Sequence, residues 1–95
     1  MREKNIEISL RDAVKAKGGL CWKFVSPGTV GVPDRIILMP KGQILFVETK
    51  ATGEKPRKIQ LKRHRQLKAL GFHVYVLDDK EKITELIYRI GSDED

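Results

Sequence analysis

Two apolar runs joined by a short turn constrain the fold of this chain more than any other feature. Residues 34–39 and 44–50 flank the sequence Pro-Lys-Gly-Gln, and this pattern predicts a β-hairpin in which Gly42 can take a left-handed conformation. The second run begins Ile-Leu-Phe-Val, without alternation of apolar and polar residues. Such a strand is typical of a central position in a sheet that is covered on both faces. The hairpin therefore predicts a layered α/β fold.

The remaining elements follow from hydrophobic periodicity and from the positions of glycine and proline. Strands are predicted at residues 20–25 and 73–77, and helices at residues 3–17, 57–70 and 80–90. Residues 26–33 hold two prolines and two glycines and are predicted to form a loop. Since a hairpin lies beside a helical crossover, the order α-β-β-β-α-β-α predicts a mixed sheet of about four strands flanked by helices.

Length and composition set limits on the class of protein. The 95 residues allow one domain with a modest core, and we expect residues 1–95 to form it, with a flexible acidic tail at 92–95. No apolar run approaches the ~20 residues that a membrane helix needs, so no membrane partner is expected. The charged N-terminus lacks a secretory signal, and a single cysteine, Cys21, excludes an internal disulfide or a multi-cysteine zinc site. A cytoplasmic location is predicted.

Positive charge is concentrated between residues 50 and 68. This segment holds eight Lys and Arg residues against one acid, in a chain with a net charge of +6. A surplus of this kind suits a polyanion such as DNA. The alternative is a solvated helix face that keeps the protein soluble. The bases that we expect to contact DNA are Lys55, Arg57, Lys58, Lys62 and Arg65.

Two carboxylates and an amine are predicted to meet at one end of the hairpin. Glu48 and Lys50 are two residues apart on a strand, so their side chains share a face. A three-residue turn pairs Met39 with Gln43. Counting back along the strands then sets Asp34 across from Glu48. Facing carboxylates repel unless a cation lies between them, and Mg²⁺ prefers such oxygen ligands. The alternative is that these are ordinary charged residues at strand ends.

Lys50 and the two predicted helices beside it could complete a catalytic site. Lys50 could orient or deprotonate an attacking water, or stabilise negative charge that develops on a phosphate. Glu7 lies at the edge of the apolar stripe of the first helix, and Glu3 shares its arc; either could face the sheet or be an exposed acid. Gln60 shares an inward arc of the basic helix with His64. Gln60 could bind the attacking water or a phosphate, whereas His64 is interpreted as a packing residue.

The loop at 26–33 and the strand before it hold further candidates. Ser26, Gly28 and Thr29 offer the exposed amides and hydroxyls that suit phosphate contacts, although turn formation explains them about as well. Trp22 and Phe24 are interpreted mainly as core residues, with base stacking as the alternative.

Five short motifs along the chain form a recognisable set. They are Lys-Phe-Val-Ser-Pro-Gly at 23–28, Gly-Val-Pro-Asp-Arg at 31–35, Phe-Val-Glu-Thr-Lys at 46–50, Gln60, and Leu-Gly-Phe-His-Val at 70–74. Together they resemble the VRR-NUC domain, the virus-type replication-repair branch of the PD-(D/E)XK nuclease superfamily, over roughly residues 3–90. The resemblance implies a restriction-endonuclease-like α-β-β-β-α-β core that binds Mg²⁺ or Mn²⁺ and hydrolyses DNA phosphodiesters.

The resemblance also implies roles for the matched residues. Asp34 and Glu48 would bind the metal ion, with the backbone carbonyl of Thr49 as a third contact. Lys50 would be the catalytic lysine, and Gln60 the glutamine that follows it in the family pattern.

Stand-alone VRR-NUC domains are similar to Holliday-junction resolvases, so branched DNA is the expected substrate, in replication or repair in a bacterial or phage-infected cytoplasm. In those resolvases a glutamate stands about eleven residues before the glycine that ends the first helix, which Gly18 places at Glu7. Symmetric cutting of two strands needs two active sites, so a two-fold homodimer is expected. Two alternatives remain: a nucleic-acid-binding module that retains the fold without cutting, and a small RNA-binding or ribosome-associated protein.

Overall fold

The computed structural model describes residues 1–92 and confirms the predicted α/β architecture. The helices are α1 (Glu3–Ala16), α2 (Lys58–Ala69) and α3 (Lys80–Ser92), and the strands are β1 (Leu20–Lys23), β2 (Arg35–Met39), β3 (Gln43–Thr49) and β4 (His73–Leu77). Residues 93–95, and with them most of the predicted acidic tail, lie outside the described residues. No helix within residues 1–92 is long and apolar enough to cross a membrane.

The four strands form one mixed sheet in the order β1-β2-β3-β4. The first three strands are antiparallel neighbours, and β4 runs parallel to β3 after the α2 crossover. The predicted hairpin register is confirmed, because Met39 pairs with Gln43. The turn between them is possible because Lys41 and Gly42 both take left-handed backbone conformations, with φ of 69° and 76°. The ladder ends at Arg35 paired with Val47, which leaves Asp34 just outside β2.

The main hydrophobic core lies between the sheet and the layer formed by α1 and α3. Its residues recur every three or four positions along the helices and every second position along the strands, as burial of one face of each element requires. They are Ile6, Leu10, Val14, Ile37, Met39, Leu45, Val47, Leu77, Ile83, Leu86 and Ile90.

The opposite face of the sheet carries α2. There Phe46 of β3 packs between Phe24 and Phe72, with ring centroids 5.6 Å apart in both pairs. Strand β3 is therefore buried on both faces, as its unalternated sequence predicted. The expectation that Trp22 belongs to the core is wrong: its side chain is 55% exposed, because β1 is an edge strand beyond the reach of α2.

The close packing of the loop at 26–33 against α2 depends on Gly31. This residue has a φ of 89°, and a Cβ atom there would lie 2.9 Å from the Ile59 side chain and 3.0 Å from the Ile59 carbonyl oxygen. Both the backbone conformation and the space therefore require glycine.

We expect Gly31→Ala to lower the free energy of unfolding by about 2 kcal/mol or more, since it combines a left-handed conformation with an overpacked contact. Gly28→Ala is the matched control, because nothing lies within 4 Å of a Cβ atom at that position. Urea denaturation of both variants measures the difference. Equal stability of the two would contradict this account of the contact.

Candidate active site

Asp34 is held at the end of the hairpin by a residue of the neighbouring strand. The backbone N–H of Thr49 donates to Oδ1 of Asp34 at 3.0 Å, and its hydroxyl donates to Oδ2 at 2.6 Å. Thr49 is fully buried, so it presents both donors from a rigid position. Burial raises the pKa of Asp34 above its ordinary value, although the two hydrogen bonds from Thr49 favour the ionised form.

Helix α1 adds two further acids to the same place. Glu3, Glu7 and Asp34 each offer a carboxylate oxygen, and these three atoms lie within 4.8 Å of one another. Glu3 and Glu7 are four residues apart and therefore share one helix face. The pKa of Glu3 is raised, first by burial and then by the charges of Asp34 and Glu7. The structure thus places both of the candidate α1 acids beside Asp34.

Arg35 supplies positive charge to this group of acids. Its Nη2 atom lies 3.0 Å from Oε2 of Glu7, and both side chains are largely buried. Its Nε atom is also buried and has no hydrogen-bond partner among the described residues. Sequence reasoning missed the role of Arg35 and of the Thr49 side chain. The only signal for them was their position next to Asp34 and Glu48 in sequence.

Glu48 is held on the other face of β3 by helix α2. Its carboxylate is 2% exposed and accepts a hydrogen bond from Nε2 of Gln60 at 3.2 Å, on Oε2. Its other oxygen, Oε1, lies 3.3 Å from Nε2 of His64. The orientation of the Gln60 amide follows from its other end, where Oε1 accepts a hydrogen bond from the Arg57 backbone N–H at 2.7 Å. Gln60 and His64, which face inward from α2, therefore both contact the Glu48 carboxylate.

Burial shifts both groups of this contact toward their uncharged forms. Burial, followed by the charge of Asp34, raises the pKa of Glu48 to about 7. Burial also lowers the pKa of His64, because it penalises the imidazolium form. Sequence reasoning treated His64 as a packing residue, and the structure adds a hydrogen bond to its role. The available signal was its spacing of four residues from Gln60.

Lys50 follows directly after β3, and its charge acts both on Glu48 and on the acids around Asp34. Its positive charge lowers the pKa of Glu48 on one side and acts on Glu3 on the other. Within residues 1–92 its ammonium group makes no hydrogen bond and no ion pair. The structure thus brings Asp34, Glu48 and Lys50 to one end of the hairpin. The hydrogen bonds of the two acids, however, run to different partners.

The residues predicted to contact DNA lie on the loop that precedes Asp34, and on α2 and the segment before it. Ser26 and Thr29 are half-buried and Gly28 is exposed, on a loop that is tied to α2 by a 2.8 Å hydrogen bond from Nε of Arg63 to the Val30 carbonyl. The five basic side chains predicted to contact DNA are all exposed and form none of the ion pairs found in residues 1–92. They are Lys55, Arg57, Lys58, Lys62 and Arg65. Their charges are therefore open to solvent.

The chain is similar to a phage protein and to a solved structure. The chain is 52% identical over 81 residues to "Putative nuclease p44" of Acyrthosiphon pisum secondary endosymbiont phage 1, covering 85% of this chain and 87% of that protein. A solved structure described as "VRR_NUC domain" superposes with a TM-score of 0.85 at 31% identity, covering 90% of this chain and 94% of that one. No model of a protein family matches the sequence.

The raised pKa of Glu48 gives a test of the buried carboxylate. A carboxyl group with a pKa of about 7 in the folded protein and an ordinary value of 4.5 stabilises the fold below pH 4.5, and this contribution is lost as the pH rises to 7. We therefore compare the free energies of unfolding of Glu48→Gln and the natural chain in EDTA. The value for the variant minus that for the natural chain should increase by up to about 3 kcal/mol between pH 4.5 and 8.

Urea denaturation at several pH values measures this difference. Glu81→Gln, at an exposed acid in the first turn of α3, is the matched control and should run parallel to the natural chain. A parallel profile for Glu48→Gln would contradict the burial of an ionisable Glu48.

Proposed function

The chain belongs to the VRR-NUC family of nucleases, and from this premise we propose that it is a metal-dependent DNA endonuclease selective for branched DNA. Its substrate class, as for nucleases in general, is nucleic acid. The observation that carries the proposal is the meeting of Asp34, Glu48 and Lys50 at one end of a hairpin. A loop and a helix beside it carry exposed Lys and Arg side chains that form no ion pair within residues 1–92.

The acids of the site fit a hard divalent cation. Three carboxylate oxygens within 4.8 Å of one another repel, and Arg35 is paired with only one of them, Glu7. Mg²⁺ and Mn²⁺ prefer such oxygen ligands. Of these three acids we assign metal contacts to Asp34 and Glu7. We add Glu48 and the Thr49 carbonyl from the family pattern, since Glu48 is held by Gln60 and His64 and is not one of the three clustered acids. When bound, the ion would polarise a phosphoryl oxygen and lower the pKa of a water molecule.

Lys50 acts on the water or on the phosphate. Lys50 is two residues after Glu48, its positive charge lowers the pKa of that carboxyl group, and its ammonium group forms no ion pair in residues 1–92. It can therefore hold the attacking water in place or neutralise the charge that develops on the phosphate in the transition state.

Gln60 positions Glu48. One end of its amide accepts from the Arg57 backbone and the other donates to Glu48, so the side chain links the start of α2 to the end of β3. The second N–H of the amide remains available for a water molecule or a phosphate oxygen.

The DNA backbone lies along the loop and α2 in this proposal. Ser26, Gly28 and Thr29 contact phosphate through amides and hydroxyls. The five exposed Lys and Arg side chains attract the phosphates, and this attraction weakens as the salt concentration rises. Paired cuts at a junction need two active sites, so the proposal includes a two-fold homodimer. The setting would be replication or repair of bacterial or phage DNA in the host cytoplasm.

The deciding experiment is cleavage of labelled DNA in the presence of Mg²⁺ or Mn²⁺. We expect the protein to cut four-way junctions, flaps or forks faster than plain duplex, and to be inactive in EDTA. Lys50→Ala should lower the cleavage rate by at least 100-fold while leaving junction affinity nearly unchanged, since transition-state charge stabilisation is typically worth this much.

Two further variants serve as a control for lost charge and as a test of metal binding. Lys17→Ala, an exposed lysine at the end of α1, is the control for loss of one charge. Asp34→Asn should weaken Mn²⁺ binding in calorimetry. A protein that binds junctions without cutting under any of these conditions would be a binding module, and full activity of Lys50→Ala would refute the role of that residue.

The basic helix is tested by the salt dependence of DNA binding. Truncation of Lys62 and Arg65 together should weaken junction binding and reduce the slope of log affinity against log salt by roughly one unit per lost phosphate contact. The double variant of Lys15 and Lys17 to Ala removes the same charge from the far end of α1 and should leave the slope unchanged. Equal slopes for the two double variants would place the DNA elsewhere.

A further inference from the structure

An open groove runs between the loop at 26–33 and the second half of α2. It has a volume of about 570 Å³, which lies in the range of sites that hold a small organic group. Its apolar walls come from Phe24 and Val32 around the loop, and from Leu67 and Leu70 of α2 and its C-terminal end. Leu70 at the rim is 76% exposed. A flat apolar group can therefore enter the groove from solvent.

The groove also has polar lining, which is held in a fixed orientation. Arg63 donates from Nε to the Val30 carbonyl at 2.8 Å and from Nη1 to Oε1 of Gln66 at 3.0 Å. Because the Gln66 oxygen is used in this way, its amide presents two N–H donors, which make no hydrogen bond within residues 1–92. The Thr29 hydroxyl adds a further hydrogen-bonding group. The groove therefore combines apolar walls with polar groups that can read an edge.

The charge around the groove suits a nucleic acid. None of the described residues that line it is Asp or Glu, and Arg63 brings a positive charge to its wall. Lys58 and Lys62 are exposed on the same helix, and Thr29 belongs to the loop that is proposed to contact phosphate. A DNA strand that passes the groove thus meets positive charge along its backbone.

A nucleobase fits both the apolar and the polar parts of the lining. Bases stack on aromatic side chains such as Phe24, and base edges carry acceptor atoms for the N–H donors of Gln66. A base inside a duplex is stacked and must leave the helix before it can enter a recess. This step costs least for a base that is already unpaired. The groove therefore favours an unpaired base.

The groove lies next to the candidate catalytic acids. The backbone N–H of Phe24 donates to the Asp34 carbonyl at 2.8 Å, so one wall of the groove and this acid lie on adjacent chain segments. Helix α2, which forms the other wall, also holds Glu48 through Gln60 and His64. A base in the groove and a phosphate at the acids can therefore belong to one DNA strand.

We propose that this groove binds an unpaired base of the DNA substrate, close to the phosphate that is cut. The inference rests on the proposed nuclease function and deepens it, because it names the preferred class among branched DNAs. Flaps, forks and bulges offer an unpaired base beside a duplex, whereas a fully paired DNA does not.

The test is DNA binding in EDTA, where no cutting is expected. The probes are a labelled duplex with one unpaired thymine and the same duplex with an abasic residue at that position. Fluorescence anisotropy should give the natural chain a dissociation constant about 10-fold lower for the thymine bulge, the size of effect that stacking of one base produces.

A variant of the groove should lose this preference and nothing else. Gln66→Ala combined with Leu70→Ala changes two exposed residues without changing the net charge, and it should bind both bulges with the affinity of the natural chain for the abasic one. Leu61→Ala is the matched control, because Leu61 is 41% exposed on α2 and does not line the groove. It should keep the 10-fold preference.

Photocrosslinking locates the base independently of the variants. With 5-iodouracil at the unpaired position, we expect a crosslink to Phe24, mapped by mass spectrometry. A crosslink to Trp22 alone would place the base on the edge strand β1 and overturn the groove site.

The two proposals fail in different ways. Equal affinity of the natural chain for both bulges would overturn the groove site and leave the groove to a protein partner, while cleavage of branched DNA would still support the nuclease. A preference for the thymine bulge without cleavage in Mg²⁺ or Mn²⁺ would refute the nuclease and not the groove site.

Discussion

The hydrogen bonds from Thr49 to Asp34 are the interaction on which the rest of the site depends. They form because the hairpin register brings the residue before β2 beside the end of β3. Asp34 is held by two donors from a fully buried residue, and the acids of α1 meet it there, Glu7 from a half-buried position and Glu3 from an exposed one. The position of α1 on the sheet thus becomes part of the chemistry, since Glu3 and Glu7 project from its first two turns.

The site holds more carboxyl groups than its own cationic side chains pair with. Isolated buried carboxylates are costly, and the structure offsets this cost in different ways on the two faces of β3. On the α1 side, Arg35 is paired with Glu7. On the α2 side, Gln60 and His64 contact the two oxygens of Glu48, whose pKa is raised to about 7. A site of this kind gains stability when a cation arrives, which ties metal binding to the stability of the fold.

Each part of the sheet serves one purpose. The face toward α1 and α3 buries the main core, and the end of β3 carries the acids and Lys50. The uncovered half on the α2 side, from Leu20 to Ile44, is apolar and exposed. Residues from all three regions lie within a few positions of one another along β2 and β3, because alternate side chains of a strand point to opposite faces. A small domain can in this way combine a core, a candidate catalytic site and an exposed apolar surface in one hairpin.

Local sequence patterns predicted the features that depend on short distances along the chain. The hairpin register, the central place of β3, the inward arc of Gln60 and the family of the protein could all be read from local patterns, because turn geometry and side-chain periodicity involve neighbouring residues. The contacts that complete the site could not. Arg35 meets Glu7 across 28 positions and Thr49 approaches it across 42, and the exposure of Trp22 depends on where α2 packs. These features follow from the packing of helices on the sheet, which brings together residues that are far apart in the chain.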